Sequence, residues 1–226
     1  MTAKIITVFN EKGGAGKTTV AVHIAGTLGK RGNRVKLIDI DPQNTSSRWV
    51  AQARDHKEFP ARIANLSALG GNVHREMRHD MDSFDYIVVD CPPSSESPAA
   101  NSALTVSDLA VVPVVPSPND LWAVATAKRL VSTAMHTNRD LRGVTVLNMV
   151  QRTTLAAVAA EELGKDTAIP LLKTQLGLRS AYKECPLVGG TVHDIRRAKE
   201  AVSEVESMVD EILSALETRQ EKGKKQ

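Results

Sequence analysis

Lys12 and Lys17 bracket Gly13, Gly14, Ala15 and Gly16 in the run KGGAGKTT. Two cations on one short loop repel each other unless a polyanion lies between them. Glycines let the backbone turn tightly and carry its N–H groups up to phosphate oxygens. The run follows an apolar strand pattern, IITVF, and opens a helical one, TVAVHIAGTLGKR. That is the strand–loop–helix context of a phosphate-binding loop. In such a loop the positive end of the helix adds to the pull on the anion. Lys17 is placed to reach the β- and γ-phosphates of ATP, Thr18 to give its hydroxyl to Mg2+, and Thr19 to bond a phosphate nearer the ribose.

Carboxylates stand further along the chain. Asp90 closes the apolar run YIVVD, and an acid at the end of a buried strand is suited to contact Mg2+ through water. Pro92 and Pro93 stiffen the exit from that strand. Asp39 and Asp41 stand in VKLIDIDPQ. Asp-Pro is a common turn opener, so taken alone these two residues allow a turn as readily as a role in phosphoryl transfer. That reaction asks for positioning and charge neutralisation more than for a strong base, and one well-placed carboxylate suffices.

Secondary structure must bring these residues together. Apolar runs at 5–9, 35–39, 86–90, 109–115, 144–149 and 168–172 read as strands, with a weaker one at 62–66. Most are continuous rather than alternating, which suits strands buried on both faces. Helical patterns fall at 18–31, 46–54, 73–81, 121–137, 154–163 and 195–217. The alternation predicts right-handed βαβ crossovers and an α/β fold: a doubly wound, mostly parallel sheet flanked by helices on both faces, as in P-loop NTPases. Ligands of such sheets bind at the carboxyl ends of the strands, where the motifs fall. No repeat or Pro/Gly/Ser linker divides the chain, so a single domain is expected over 1–219, with 220–226 as a solvated tail. Between the strand from 109 and the helix from 121, LAVVPVVPSPND makes a rigid connection, with Asn119 or Asp120 as helix cap.

The 226 residues suit one α/β domain. Apolar residues make up 42% and aromatics only 3%, so aliphatic side chains must fill the core. A net charge of +3 permits an anionic partner only where the positive charge clusters. Cys91 and Cys185 form no CxxC and no zinc-ligand spacing, and read as small packed residues in a reduced, cytoplasmic protein. There is no secretory apolar region at the start, and no apolar run nears the ~20 residues of a membrane helix.

The common G-x-x-x-x-G-K-[ST] pattern does not fit, because its first position falls on Glu11. A second lysine, Lys12, precedes the glycine pair instead. This KGGxGKT form resembles the deviant Walker A box of the ParA/MinD superfamily. The resemblance runs from Lys4 to about Leu216 and is weaker after Gln151. It implies that Lys12 reaches the nucleotide of a second subunit, so that ATP sits in a homodimer. It implies that Asp39 holds a water of the Mg2+ shell and that Asp41 orients the water attacking the γ-phosphate. The loop after Asp90 resembles the family's second switch, and the proline-rich segment after 109 resembles one near the adenine and the dimer interface. Asn148 falls where relatives read adenine.

The periphery narrows the choice within that family. The short stretch ahead of the loop leaves no room for a helix-turn-helix, so a small single-domain ParA is expected. The last helix carries an apolar stripe, suited to docking on the core. Its other face bears Glu200, Glu204, Glu206, Asp210 and Glu211, which anionic lipid would repel, so no membrane partner is expected. Lys173, Arg179, Lys183, Arg196, Arg197 and Lys199 cluster in a stretch whose acids between Lys173 and Lys199 are Glu184 and Asp194. Singly these are as readily solvated surface charges; together, the resemblance implies that they bind non-specific DNA and associate the protein with the nucleoid. It implies hydrolysis stimulated by a ParB-like or adaptor partner protein, and the segregation or spacing of a plasmid, chromosome region or protein cargo. The alternatives are a metabolic P-loop enzyme of the dethiobiotin-synthetase type and an ATP-switched polymerising protein.

Overall fold

The computed structural model describes residues 2–53, 57–94 and 96–217, with backbone alone for 118–123. Its strands are β1 (Lys4–Val8), β2 (Val35–Asp39), β3 (Arg62–Asn65), β4 (Tyr86–Asp90), β5 (Leu109–Val114), β6 (Arg142–Val150) and β7 (Leu171–Gly177). All pair parallel, in the order β3-β2-β4-β1-β5-β6-β7. Its helices are α1 (Lys17–Lys30), α2 (Thr45–Val50), α3 (Val73–Asp80), α4 (Pro98–Leu104), α5 (Pro118–Thr137), α6 (Thr154–Gly164), α7 (Ser180–Val188) and α8 (Lys199–Glu217). The doubly wound α/β expectation holds.

Continuous apolar strands follow from two covered faces. Ile6 and Val8 of β1 join a core with Val20 and Ile24 of α1 and Val205 and Val209 of α8. Ile5 and Phe9 join a second core with Met77 of α3, Leu104 of α4 and Val131 of α5. Side chains alternate across the pleat, so each strand must be apolar at odd and even positions alike. Each large aliphatic side chain so buried contributes about 1.5–3 kcal/mol.

β1 and β4 are neighbours, and the helices that follow them leave on opposite faces of the sheet, α1 in one core and α4 in the other. A crevice opens at the carboxyl ends of such strands.

Element bounds shift where local chemistry competes with the apolar pattern. β7 spans Leu171–Gly177, later than the run at 168–172. α8 explains the difference, because Glu211 accepts the N–H groups of Lys173 and Thr174 and Glu204 that of Gly177. The helix thereby satisfies the free edge of the last strand. α8 starts at Lys199 rather than 195, because Arg197 has a left-handed φ of 61°. α5 starts at Pro118, so Asn119 and Asp120 lie inside its first turn and not at its cap; proline suits a first helical position. α4, capped by Ser97, and α7 were not expected. Pro186 and the Gly189–Gly190 pair read as breaks, yet α7 tolerates Pro186 in its last turn and ends on left-handed Gly189. Residue 54, the expected end of the second helix, and the tail 220–226 lie outside the described residues.

The acidic face expected on the last helix is not free. Glu200 and Glu204 pair with Arg179, Glu206 with Arg31 and His193, and Asp210 with Arg31. The apolar stripe does dock on the core, with Ala201, Val205, Met208, Val209 and Ile212 buried. Among the described residues no helix is long and apolar enough to cross a membrane.

Candidate phosphate-binding site

β1 ends at Val8, and the chain turns through residues 9–16 into α1 at Lys17. Gly14 and Gly16 hold φ values of 80° and 87°, where a side chain is strained. Gly16 has a second reason to be glycine, because a Cβ there would stand 1.9 Å from Asn148 Nδ2. Gly13 and Gly14 form a tight turn between Lys12 and Ala15. Backbone amides of such a turn, beside the positive end of a helix, form an anion cradle.

Lys17 is buried at 6% exposure and donates from Nζ to the Lys12 carbonyl at 2.9 Å. Burial draws its ammonium below the usual lysine range, against the pull of Asp90, Cys91 and Asp41. Lys12 is partly exposed at the loop's start, and Thr18 and Thr19 sit partly exposed in the first turn of α1.

The acids converge from β2 and β4. Asp39 is fully buried and accepts N–H groups from Asp41 at 3.1 Å and Ser47 at 2.9 Å. Asp41 accepts the Gln43 N–H at 2.9 Å, so the turn chemistry of Asp-Pro is realised at this carboxylate. Asp90 is fully buried, and neither of its oxygens has a hydrogen-bond partner among the described residues. Burial pushes its carboxyl up to about 7, and the nearby Asp39 charge adds to this; the Thr18 and Ser46 hydroxyls and Lys17 act the other way. The two hydroxyls stand too loosely to satisfy this carboxylate, and its burial costs free energy unless a cation meets it. Asp90 therefore fits a cation position, with Thr18 and Asp39 near enough to act on its charge.

Ser46, whose buried hydroxyl also lacks a partner among the described residues, and Asn10 were missed in the sequence. Asn10 is 2% exposed, accepts the Lys12 N–H and donates to the Pro113 carbonyl. A polar residue placed between an apolar strand and the first lysine was its signal. Asn148 turns toward the loop and donates to the Ala15 carbonyl at 3.0 Å.

Below the loop, His23 of α1 is fully buried between Thr19 and the segment 190–192. The Val192 N–H donates to its Nε2 at 3.2 Å, which leaves Nδ1 to donate to the Thr19 carbonyl at 2.7 Å. Burial lowers this imidazole to about 4, and His193 contributes in the same direction. Trp49 of α2 donates to the Gly190 carbonyl and meets the His23 ring edge-on.

The basic residues expected to meet DNA are only partly brought together. Arg179, Arg197 and Lys199 line one groove between the starts of α7 and α8. Arg179, however, is held by Glu200 and Glu204, so its charge is largely compensated. Lys173, Lys183 and Arg196 are exposed but do not line that groove.

Residues 6–206 match the family described as the CobQ/CobB/MinD/ParA nucleotide binding domain. The chain is 30% identical over 209 residues to the maintenance of carboxysome distribution protein A of Halothiobacillus neapolitanus, covering 92% of this chain and 95% of that one. It is 30% identical over 225 residues to the sporulation initiation inhibitor protein Soj of Bacillus subtilis, covering 82% and 88%. Among solved structures, an ATP complex of Cyanothece McdA superposes with a TM-score of 0.76 at 15% identity, covering 94% and 97%.

Proposed function

The chain belongs to the CobQ/CobB/MinD/ParA family of nucleotide-binding domains, and within it we propose a ParA-type positioning ATPase that cycles between an ATP-bound homodimer and free subunits. The observation that carries this reading is the pairing of two features at one crevice. A glycine loop with two lysines, one of them buried beside Asp90, faces that carboxylate, whose oxygens have no hydrogen-bond partner among the described residues.

In this reading the loop amides and Lys17 bind the β- and γ-phosphates, and Thr19 bonds a phosphate nearer the ribose. Thr18, by its hydroxyl, and Asp39 and Asp90, through water, would hold Mg2+. When bound, Mg2+ supplies charge neutralisation to the phosphate oxygens. Asp41 orients the attacking water. Lys12, at the start of the loop, contacts the nucleotide of the second subunit, which makes dimerisation depend on ATP. Asp39 keeps Asp41 in place by accepting its N–H.

The dimer binds non-specific DNA through basic side chains of the C-terminal third and so associates with the nucleoid. A ParB-like or adaptor partner protein stimulates hydrolysis and releases it. The cargo is a plasmid, a chromosome region or a protein assembly. The carboxysome-distribution relative supports a protein assembly.

The test measures ATP turnover, particle mass and DNA retention together, in ATP and in ADP with Mg2+. The proposal expects slow turnover, a dimer in ATP only, and DNA retention by that dimer. A monomer that turns over ATP only with a small-molecule acceptor would instead support the metabolic P-loop reading.

A further inference from the structure

Two buried asparagines hold the phosphate loop at its two ends. Asn10, two residues after β1, accepts the Lys12 N–H on Oδ1 at 3.0 Å and donates from Nδ2 to the Pro113 carbonyl of β5 at 2.8 Å. Asn148, late in β6, donates from Nδ2 to the Ala15 carbonyl at 3.0 Å and accepts the Met149 N–H on Oδ1 at 2.9 Å. Their exposures are 2% and 3%, so water does not replace these partners.

A peptide plane points its C=O and its N–H in opposite directions. Tying the Ala15 carbonyl back toward β6 therefore turns the Gly16 N–H, on the same plane, away from Asn148 and toward the crevice. Lys17 does the same earlier in the loop, where its bond to the Lys12 carbonyl turns out the Gly13 N–H. Asn10 fixes the other side of Lys12, joining it to β5. Gly16 is part of the same device, since its missing Cβ is what admits the Asn148 amide.

We propose that Asn10 and Asn148 are positioning residues that hold the loop amides and Lys12 in their phosphate-binding arrangement before nucleotide arrives, with Asn148 acting on the phosphates through the loop and not on the base. The inference rests on the ATP reading of the site. It predicts a loop that is preformed, with less ordering to be done on binding.

The experiment compares ATP with magnesium tripolyphosphate, which has phosphates but no base. Each ligand displaces a fluorescent ATP analogue from wild type, Asn148→Ala and Asn10→Ala. Leaving the Ala15 carbonyl buried without its donor should weaken binding about ten-fold, by the same factor for both ligands. A loss confined to ATP would make Asn148 a base reader and overturn the inference, and so would unchanged binding in both variants. Wild-type protein that binds neither ligand would instead overturn the ATP reading beneath it. Asn148→Ser, too short to span to Ala15, replaces the alanine variant if melting shows that the latter does not fold.

Discussion

Asp39 and Asp90 are register partners on the adjacent parallel strands β2 and β4, yet their carboxylates live in opposite circumstances. Asp39 accepts two backbone N–H groups. Asp90 has no hydrogen-bond partner among the described residues and is equally buried. The local chain makes the difference. After Asp39 it folds into a turn and α2, whose amides reach back to the carboxylate. After Asp90 it runs into Pro92 and Pro93, which have no N–H to offer. The result is one anchored acid beside one left for a cation.

Asp90→Asn should therefore separate stability from function. The substitution keeps shape and removes a buried charge, so the nucleotide-free protein should gain about 1–3 kcal/mol. The same variant should lose Mg2+-dependent ATP binding. Thermal melts with and without Mg2+ and ATP measure both. A variant destabilised without nucleotide would show that Asp90 has a structural partner.

Lys17→Ala should abolish ATP binding, because it removes the buried counter-charge of the loop. Lys12→Ala should bind ATP normally and fail to form the ATP dimer. Calorimetry and light scattering on the two variants give the comparison. An ATP dimer of ordinary mass in Lys12→Ala would remove the role of the second lysine.

Asp41→Ala should bind ATP and dimerise while turnover falls roughly 100-fold or more. The dimer should accumulate, because loss of a water-orienting group affects the transition state more than the ground state. Single-turnover phosphate release is the measurement. Unchanged release would leave Asp41 with its turn role alone.

The residues that meet at the candidate phosphate site were legible because each motif is local. The run from Lys12 to Thr19 follows an apolar strand, Asp39 and Asp90 end theirs and Asp41 comes two residues later, and a parallel sheet gathers the carboxyl ends of its strands at one edge. The partners of Arg179 were not legible. Glu200 and Glu204 stand more than a helix away in sequence, and only the packing of α8 along β7 brings them to it. Asn148 was read as late in its strand, but its bond to the loop depends on the absence of a side chain at Gly16, a contact between distant segments. α7 was hidden for a different reason: Pro186 and two glycines are local breakers, outweighed by the burial of Ala181 and Cys185.

Stability against pH should show two opposing slopes in nucleotide-free protein. His23 is lowered from 6.5 to about 4, so between those values the unfolded chain binds more protons and stability falls as pH falls. Asp90 is raised from 3.8 to about 7, so between those values the folded chain binds more protons and stability falls as pH rises. In wild type the two nearly cancel between the lowered His23 value of about 4 and its ordinary 6.5. Asp90→Asn should expose the His23 slope, with a loss of roughly 3 kcal/mol on acidification through that window. His23→Gln should expose the opposite slope. Urea titrations across this range decide it, and equal profiles in all three proteins would refute both assignments.

The last prediction concerns DNA and turns on which cations are free of the fold. Arg196, Arg197 and Lys199 are exposed near the start of α8, while Arg179 is tied to Glu200 and Glu204. Two-fold symmetry in an ATP dimer doubles whatever patch one subunit presents. Affinity for unrelated duplexes should then be much higher in ATP than in ADP and should fall steeply with salt, with a log–log slope of about −0.9 per phosphate neutralised. Charge reversal at Arg196 or Arg197 should weaken binding to all sequences alike and shallow that slope, leaving ATP binding intact. Arg179→Ala should leave the slope unchanged and lower the melting temperature, because it removes the tie between the start of α7 and α8. Gel shifts over a salt series, in ATP and in ADP, distinguish these outcomes. A slope altered by Arg179→Ala and untouched by the two reversals would move the DNA contacts off the exposed loop at 196–197. Binding that ignores the nucleotide would separate DNA from the ATP cycle altogether.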